Sequence, residues 1–379
     1  MSFQLTSEQE MIRLMARDFA KKELEPYADK RDQEEIFPED VVKKMGEVGL
    51  LGMMVPPEYG GSGAGAVSYC LALQEIAYEC ASTAVTMSVA NLSAEPLLRF
   101  GDEEQKCKYL VPLASGKMLG SFAVTEPGAG SDPGSMKTRA EDKGGYYLVN
   151  GTKVFITNGS YAGVINLIAR TDPEKGSRGL SAFIVEKDLP GVLVGNKEDK
   201  MGLRASNTVE LIFEDCKVPR ENLLGREGLG FKIAMVALDS GRIGIASQSL
   251  GIAQACLDEA IKYAKTRRQF GRLISSFQAI QWMIADMATQ IEAANWLTLS
   301  AADRKDRGLA FTKEASMAKL FASETANKAA YKALQIHGGY GYMKEFKIER
   351  LYRDARATSI YEGTSEIQRV VIAREVLRG

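Results

Sequence analysis

Short β-rich runs, separated by turn residues, fill the middle of this chain and constrain its fold more than any other feature. Clusters such as Asn150-Gly151 and Leu189-Pro190-Gly191 punctuate the segment from about residue 119 to residue 224. The predicted strands are residues 146–149, 153–157, 164–169, 181–185 and 208–213. Because no helical segments separate these strands, we expect an antiparallel sheet or barrel rather than a parallel sheet.

Helical patterns flank this block on both sides. Thr6 or Ser7 followed by Glu10 resembles a capping box at the start of the first helix. Apolar periodicity predicts further helices at residues 67–77, 103–114, 232–266, 276–306, 312–336 and 365–377. The four long C-terminal segments are typical of an antiparallel bundle. The sequence therefore predicts an α+β fold with a helical domain at residues 1–118, a β domain at 119–228 and a helical bundle at 229–379.

The charge of the chain is close to balanced. Its 379 residues include 48 Lys and Arg against 49 Asp and Glu, which gives a formal net charge of −1. This balance provides no electrostatic basis for binding nucleic acid or an anionic membrane. Any phosphate-bearing ligand must therefore be held by a local cluster of donors.

The cysteines and the N-terminal segment indicate a compartment. The five cysteines are scattered and form no CxxC pair; they are Cys70, Cys80, Cys107, Cys216 and Cys256. This pattern argues against a disulfide framework or a zinc site and fits a reduced cytoplasm. The N-terminal segment lacks the apolar core of a signal peptide, and no stretch approaches the roughly 18 to 20 apolar residues of a membrane span. We expect a soluble, unprocessed, cytoplasmic protein.

Two features resemble functional motifs but are better explained as structure. Residues 60–66 contain a GxGxxA pattern, yet they follow a proline-rich turn rather than a buried strand, which favours a loop over a dinucleotide-binding turn. His337 is the only histidine. A lone imidazole excludes metal sites built on several histidines and disfavours a catalytic triad, so we expect His337 to be packed or hydrogen-bonded. General-base chemistry should then fall to a carboxylate.

Two segments carry residue types that suit a phosphate-bearing or planar ligand. In residues 123–132, closely spaced small residues let backbone N–H groups approach a ligand, and Thr125 and Ser131 add hydroxyl groups; a tight turn between strands is the alternative. Residues 263–271 end a long helix with two adjacent arginines and an aromatic residue. They suit a pyrophosphate, although helix C-termini favour cations in any case.

Two further segments lie near the C-terminus. Residues 335–342 contain three glycines within four positions, which implies a backbone that passes close to a ligand. Glu362 follows the apolar and β-branched residues 358–361. If this carboxyl group is buried, its pKa is raised and it becomes a competent base. If it is exposed, it simply precedes a helix capped by Thr364 or Ser365.

These four segments, in this order and spacing, resemble the acyl-CoA dehydrogenase family over essentially the whole chain. Residues 125–132 and the run from Gln335 to Asp354 are similar to two signatures of that family, and residues 200–206 and 238–242 are also family-like. The resemblance implies an N-terminal helical domain, a middle β domain and a C-terminal four-helix bundle. It also implies an FAD cofactor, an acyl-CoA substrate, an electron-transfer flavoprotein as acceptor and a homotetramer, or at least a dimer.

The resemblance carries specific roles onto residues of this chain. The residues expected to bind FAD are Phe122, Val124, Thr125, Ser131, Phe155, Thr157, Arg267, Gln269, Phe270, Phe277, Gln335, Gly338, Gly339, Thr364 and Glu366. Those from Arg267 to Gly339 would hold the pyrophosphate and adenosine across a subunit boundary. The residues expected to contact the substrate are Ser131, Asp239, Arg242 and Gly363. No metal ligand is expected.

The family places its catalytic base at one of two positions. Most members use the glutamate that corresponds to Glu362, and others carry it just before the arginine that corresponds to Arg242. Gly241 occupies that second position and cannot abstract a proton, so the resemblance assigns the base to Glu362. The carbonyl of the thioester would accept from the backbone N–H of Glu362 and from a hydroxyl of FAD.

The resemblance leaves the acyl group of the substrate open. The resemblance is strongest to short-chain members, while branched, cyclic or dicarboxylic acyl-CoA thioesters and an oxygen-using oxidase remain alternatives. Asn91, Leu92 and Glu95 match the distal end of the family's acyl pocket. A Glu95 carboxylate there would disfavour a dicarboxylic substrate by charge repulsion, unless its side chain points elsewhere.

Overall fold

The computed structural model describes residues 4–378 and begins with a helical region. Its helices are α1 (Ser7–Glu23), α2 (Ala28–Glu34), α3 (Glu39–Glu47), α4 (Gly65–Glu79), α5 (Ala81–Phe100), α6 (Glu103–Gln105) and α7 (Val111–Ala114). A π-helical turn, Lys106–Leu110, joins α6 to α7. The capping box at α1 uses Thr6 and Gln9, so the prediction of Glu10 as its acid was wrong by one position.

A mixed but mainly antiparallel sheet follows. Its strands are β1 (Leu119–Ala123), β2 (Arg139–Asp142), β3 (Tyr146–Thr157), β4 (Ala162–Arg170), β5 (Leu180–Glu186), β6 (Val192–Lys197), β7 (Thr208–Pro219) and β8 (Leu223–Leu224). They are ordered β6-β7-β3-β2-β4-β5-β8, and β1 pairs with β4. The β1–β4 and β2–β4 pairs are parallel, which the sequence did not predict.

The turn predicted at Asn150-Gly151 is wrong, because β3 runs through it as one strand. The pairing of β3 with β7 shifts register between Val149 and Gly151, which is a bulge rather than a chain reversal. Gly151 has a φ of 150°, and a Cβ there would lie 2.5 Å from Thr138 Oγ1. The glycine is needed for the close approach of the neighbouring backbone.

The C-terminal region is helical again. It contains α8 (Gly230–Ala264), the short hairpin β9 (Arg268–Gln269) and β10 (Arg272–Leu273), then α9 (Gln278–Asp306), α10 (Thr312–His337), α11 (Lys347–Ala357) and α12 (Ser365–Leu377). The core helix α8 packs against α4, α5, α9 and α10. The predicted order of helical, β and helical regions is therefore confirmed.

Helix α5 connects the helical core to the sheet. It packs against α4, α8 and β1, and all of its residues from Ala81 to Leu97 are buried. This placement brings Leu92 of α5 and Gly241 of α8 together at the site described below.

No helix of the described residues is long and apolar enough to cross a membrane. Within residues 4–378 the five cysteines are unpaired and no cluster of potential metal ligands occurs.

Candidate active site

The loop between α11 and α12 places Glu362 at the centre of the site. Glu362 has a φ of 53° and Gly363 a φ of 87°, so two successive residues adopt the left-handed conformation. Such a conformation is costly for a glutamate and persists only where surrounding contacts enforce it. Gln368 Nε2 donates to the carbonyl oxygens of both residues, at 3.1 and 3.0 Å, and Tyr361 donates its hydroxyl to Gln248.

One oxygen of the Glu362 carboxyl group is buried without a partner, while the residue as a whole is partly exposed. Its Oε2 atom is inaccessible and has no hydrogen bond among the described residues. Burial raises the pKa of this carboxyl to about 7, and Arg242 and then Lys319 partly offset the rise. A carboxyl group with a pKa near neutrality is suited to accept a proton from a substrate.

Gly241 provides the space that the carboxyl group occupies. A Cβ atom on Gly241 would lie 2.7 Å from Glu362 Oε2 and 3.3 Å from Leu92 Cδ1. The two base positions inferred from the sequence are thus adjacent in space, and a side chain at position 241 would compete with the Glu362 carboxyl group for the same space.

Arg242 lies next to this pocket and is almost fully buried. Its guanidinium donates to Asp239 at 2.5 Å and to Ser316 at 3.3 Å, while Thr312 donates to the other oxygen of Asp239. The Nε of Arg242 has no partner among residues 4–378. Asp239 and Arg242 are therefore fixed to each other; their contact with the substrate stays a prediction.

The β domain presents an exposed aromatic ring beside the predicted turn. Phe155 on β3 is 63% exposed and has a φ of 60°. The backbone N–H of Val154 donates to Thr125 O at 2.9 Å, which fixes the 125–132 turn against the strand that carries Phe155 and Thr157. Space is open above Gly128 and Gly130, and Ser131 is exposed.

A buried ion pair supports this arrangement. Lys153 Nζ is fully buried and donates to Glu126 Oε1 at 2.8 Å and to Val124 O at 3.0 Å. Glu126 also accepts from the backbone N–H groups of Lys137 and Thr138. The ion pair joins β1, the turn and β3 in one unit.

The residues predicted to bind pyrophosphate and adenosine form a second group. The guanidinium of Arg267 lies over the ring of Tyr340 at 5.3 Å, which joins the β9–β10 hairpin to the glycine turn after Gln335. Phe270 is 92% exposed, and its ring meets Phe277 edge-on at 6.0 Å. Space is open above Gly338 and Gly339. Among the described residues, no hydrogen bond or ring contact joins this group to the Phe155 surface.

Both groups fit a flavin dinucleotide. An exposed ring beside an open turn suits stacking on a planar ring system, and arginine beside open glycine backbone suits a pyrophosphate. Thr364 caps α12 by accepting from the N–H of Ile367, as predicted, and Glu366 is exposed in the first turn of that helix. The roles of these residues in binding FAD stay predictions.

The two structural explanations of motif-like features agree with the structure. His337 is buried, its Nδ1 lies 2.8 Å from Ala333 O, and its ring stacks on Tyr263. The glycine-rich segment leads into α4, whose first N–H groups donate to the Asp306 carboxylate, so a phosphate could not take that place without displacing it.

The Glu95 carboxylate is paired with a lysine, which the sequence did not indicate. It is buried and accepts from Lys305 Nζ at 2.8 Å, and Lys305 also donates to Ser240. Asn91, one turn away, donates to the carbonyls of Leu50 and Met87. Since the charge of Glu95 is compensated, repulsion of a dicarboxylic substrate no longer follows from it.

Lys319 is the site residue that the sequence analysis missed. It is fully buried on α10 and donates to Gly363 O at 2.7 Å. A signal did exist, because Lys319 falls on the face of α10 that Ala315, Ala322 and Ala326 bury, where a charged residue is unexpected.

Comparison with known proteins covers the whole chain. Residues 6–117, 121–216 and 228–377 match the family models of the N-terminal, middle and C-terminal domains of acyl-CoA dehydrogenase. An acyl-CoA dehydrogenase of Bacillus subtilis is 55% identical over 376 residues, 99% of each chain. The mitochondrial short-chain specific acyl-CoA dehydrogenase of Rattus norvegicus is 52% identical over 378 residues, which is 100% of this chain and 92% of that one.

A solved structure gives the same picture. The butyryl-CoA dehydrogenase of Megasphaera elsdenii is 45% identical, aligns over 100% of both chains and has a TM-score of 0.98. Three contiguous domain matches, full-length identity above one half and the α, β, α architecture agree with one another. The chain belongs to the acyl-CoA dehydrogenase family.

Proposed function

We propose that this enzyme dehydrogenates a short-chain acyl-CoA thioester between its α and β carbons, with Glu362 as the base. The observation that carries the proposal is the buried, unpartnered Oε2 of Glu362, whose pKa is about 7. An exposed carboxylate, with a pKa near 4.3, is too weak a base for the α proton of a thioester. Glu362 has a pKa near neutrality, and the hydrogen bonds of its loop fix its backbone.

The backbone of the same loop supports the proposal. Among the described hydrogen bonds, none uses the backbone N–H of Glu362 as a donor. That N–H is free to donate to the carbonyl oxygen of the thioester, where negative charge develops as the α proton leaves. A donor of this kind typically contributes about 3 kcal/mol to lowering a barrier. One residue would then supply both the base and part of the oxyanion hole.

FAD is the cofactor that the site supports. Phe122, Val124, Thr125, Phe155 and Thr157 would hold its ring system, and Arg267, Gln269, Phe270 and the Gly338-Gly339 turn its pyrophosphate and adenosine. When bound, the flavin supplies the acceptor for the hydride that leaves the β carbon. Ser131, Asp239, Arg242 and Gly363 would contact the thioester and its CoA group.

Exposed aromatic residues support a proposal for the assembly of this enzyme. Phe270, Trp282 and Tyr342 are 92%, 64% and 80% exposed, which is unusual for large aromatic residues and favours a covering subunit. We propose a homotetramer in which the second group completes the cofactor site of a neighbouring subunit. An electron-transfer flavoprotein would remove the electrons. The reduced cysteines favour the cytoplasm, and we retain the domain bounds 1–118, 119–228 and 229–379 as proposals.

The direct test of substrate and cofactor is colour. We expect the purified protein to be yellow and to lose its visible absorption when butyryl-CoA is added without oxygen. Longer, branched and glutaryl thioesters should bleach it more slowly at equal concentration. Faster bleaching by a branched or glutaryl thioester would show that the substrate carries that acyl group instead. Rapid reoxidation by air with turnover would indicate an oxidase.

The rate of bleaching should rise with pH through about 7. Glu362 is active only when ionised, and its pKa is about 7, so the ionised fraction falls about tenfold for each pH unit below that value. Stopped-flow measurement of bleaching across this range at saturating butyryl-CoA gives the midpoint. A midpoint near pH 4 to 5, typical of an exposed glutamate, would contradict a buried base.

Substitution of Gly241 with alanine should slow bleaching without removing FAD. The added Cβ would lie 2.7 Å from Glu362 Oε2, so the carboxyl group must move. A displacement of about 1 Å can cost about 10²-fold in rate. FAD content and the thermal midpoint serve as controls, because α8 tolerates alanine and the displaced group is a flexible side-chain end. Unchanged kinetics would show that the carboxyl group reacts from a different position.

A further inference from the structure

Lys319 on α10 is a buried cation that the proposed chemistry does not use. Its side chain is fully buried, and its one hydrogen bond among the described residues goes to a carbonyl oxygen, that of Gly363. No carboxylate of residues 4–378 forms an ion pair with it. Burial of an ammonium group without a paired carboxylate is costly, so its position calls for a functional explanation.

The carbonyl group that Lys319 holds belongs to the residue directly after Glu362. That residue, Gly363, accepts a second hydrogen bond from Gln368 on α12, at 3.0 Å. The left-handed loop is therefore held from two helices, once by a charged donor and once by a neutral donor. Because one donor is charged and the other is neutral, substitutions can test the charge and the hydrogen bond separately.

The charge of Lys319 acts most strongly on Glu362. The charged groups that face Lys319 are Glu362 in the loop, Arg242 on α8, Glu324 on its own helix and Glu366 on α12. Burial lowers the pKa of Lys319 to about 8, so it is protonated at neutral pH. Lys319 in turn lowers the pKa of Glu362 against the effect of burial.

Two cations lower the pKa of Glu362, Arg242 first and Lys319 second. Arg242 is paired with Asp239, whereas Lys319 has no carboxylate partner among the described residues. Tyr69 on α4 and Tyr361 in the loop also face Glu362, and burial raises the pKa of both phenols, so neither ionises near neutrality. Lys319 is therefore the cation near Glu362 that no carboxylate of residues 4–378 pairs.

We propose that Lys319 is a positioning residue for the base: its ammonium group fixes the carbonyl of Gly363, and its charge favours the ionised form of Glu362. The inference rests on the proposed role of Glu362. It explains how a carboxyl group with a buried, unpartnered oxygen keeps a substantial ionised fraction at neutral pH while the loop that carries it stays in the left-handed conformation.

The test compares pH profiles of anaerobic bleaching by butyryl-CoA in four holoenzyme variants. Lys319→Met removes the charge and the donor, Lys319→Gln removes the charge but keeps a donor, and Lys319→Arg keeps the charge. Gln368→Met removes the neutral donor to the same carbonyl. We expect both neutral Lys319 variants to shift the midpoint upwards by about one pH unit, with about tenfold slower bleaching on the acidic side.

Lys319→Arg and Gln368→Met should keep the wild-type midpoint, even where the absolute rate falls. An unshifted midpoint in the neutral Lys319 variants, or an equal shift in Gln368→Met, would overturn the inference. If neither neutral variant folds, Lys319→Arg is compared with the wild type, and a shifted midpoint there contradicts a role for the charge. Glu362→Gln separates the two proposals. If this variant still bleaches, Glu362 is not the base and both proposals fail. If it is inactive but the neutral Lys319 variants keep the wild-type midpoint, only the role of Lys319 is refuted.

Discussion

Glu362→Gln is expected to abolish bleaching by butyryl-CoA while FAD and the thioester stay bound. The amide preserves the shape of the side chain but cannot take up the α proton. A positioned base contributes typically about 10²- to 10⁴-fold, so the bleaching rate should fall by about 10³-fold. Stopped-flow absorbance measures the rate, and the visible spectrum and a thioester titration measure cofactor content and binding.

The matched control for this variant is Glu141→Gln. Glu141 is an exposed carboxylate on β2 that pairs with Lys143, and it has no part in the proposed site. The Glu141→Gln variant should bleach at the wild-type rate. Retained turnover in Glu362→Gln would mean that another group is the base.

Lys153→Met is expected to produce the largest loss of stability. It leaves Glu126 buried without its cation, and removal of one partner of a buried ion pair typically costs about 3 to 5 kcal/mol. Because the pair fixes the 125–132 turn to β3, bound FAD should also weaken. Urea denaturation gives the change in the free energy of unfolding, and FAD release reports the loosened turn.

The double variant Glu126→Gln with Lys153→Met tests why Lys153→Met is destabilised. If the cost is the unpaired charge of Glu126, removing that charge should restore part of the lost stability. Lys143→Met, which removes an exposed lysine of the same domain, should change the free energy of unfolding only slightly. Equal stability of Lys153→Met and the wild type would contradict a structural role for the pair.

Local sequence patterns predicted most of the fold. The predicted C-terminal segments 312–336 and 365–377 coincide within one residue with α10 and α12, because their apolar faces repeat regularly and Thr364 caps the second. Helix α5 was not predicted, because it is buried on nearly every side, lacks an amphipathic period and contains Pro96. The bulge at Gly151 was read as a turn because Asn-Gly is a strong hairpin signal, which tertiary pairing overrides here.

Local sequence pattern also predicted part of the site. Glu362 follows an apolar run and precedes a capped helix, and this pattern, with the family resemblance, drew attention to it. Its burial, the space that Gly241 leaves and the paired state of Glu95 depend on α5, α8 and α9 coming together, and local sequence does not encode those contacts. Lys319 was missed because a single lysine on an apolar helix face becomes significant only when its burial is known.

Proton exchange at the α carbon tests the central claim most directly. In 3-thiabutyryl-CoA a sulfur atom replaces the β carbon, so the ligand has α protons but no β hydrogen to lose. We expect the wild-type holoenzyme in D₂O to exchange these protons, as followed by proton magnetic resonance, and Glu362→Gln to leave them in place. Exchange at the wild-type rate in Glu362→Gln would contradict the assignment of the base.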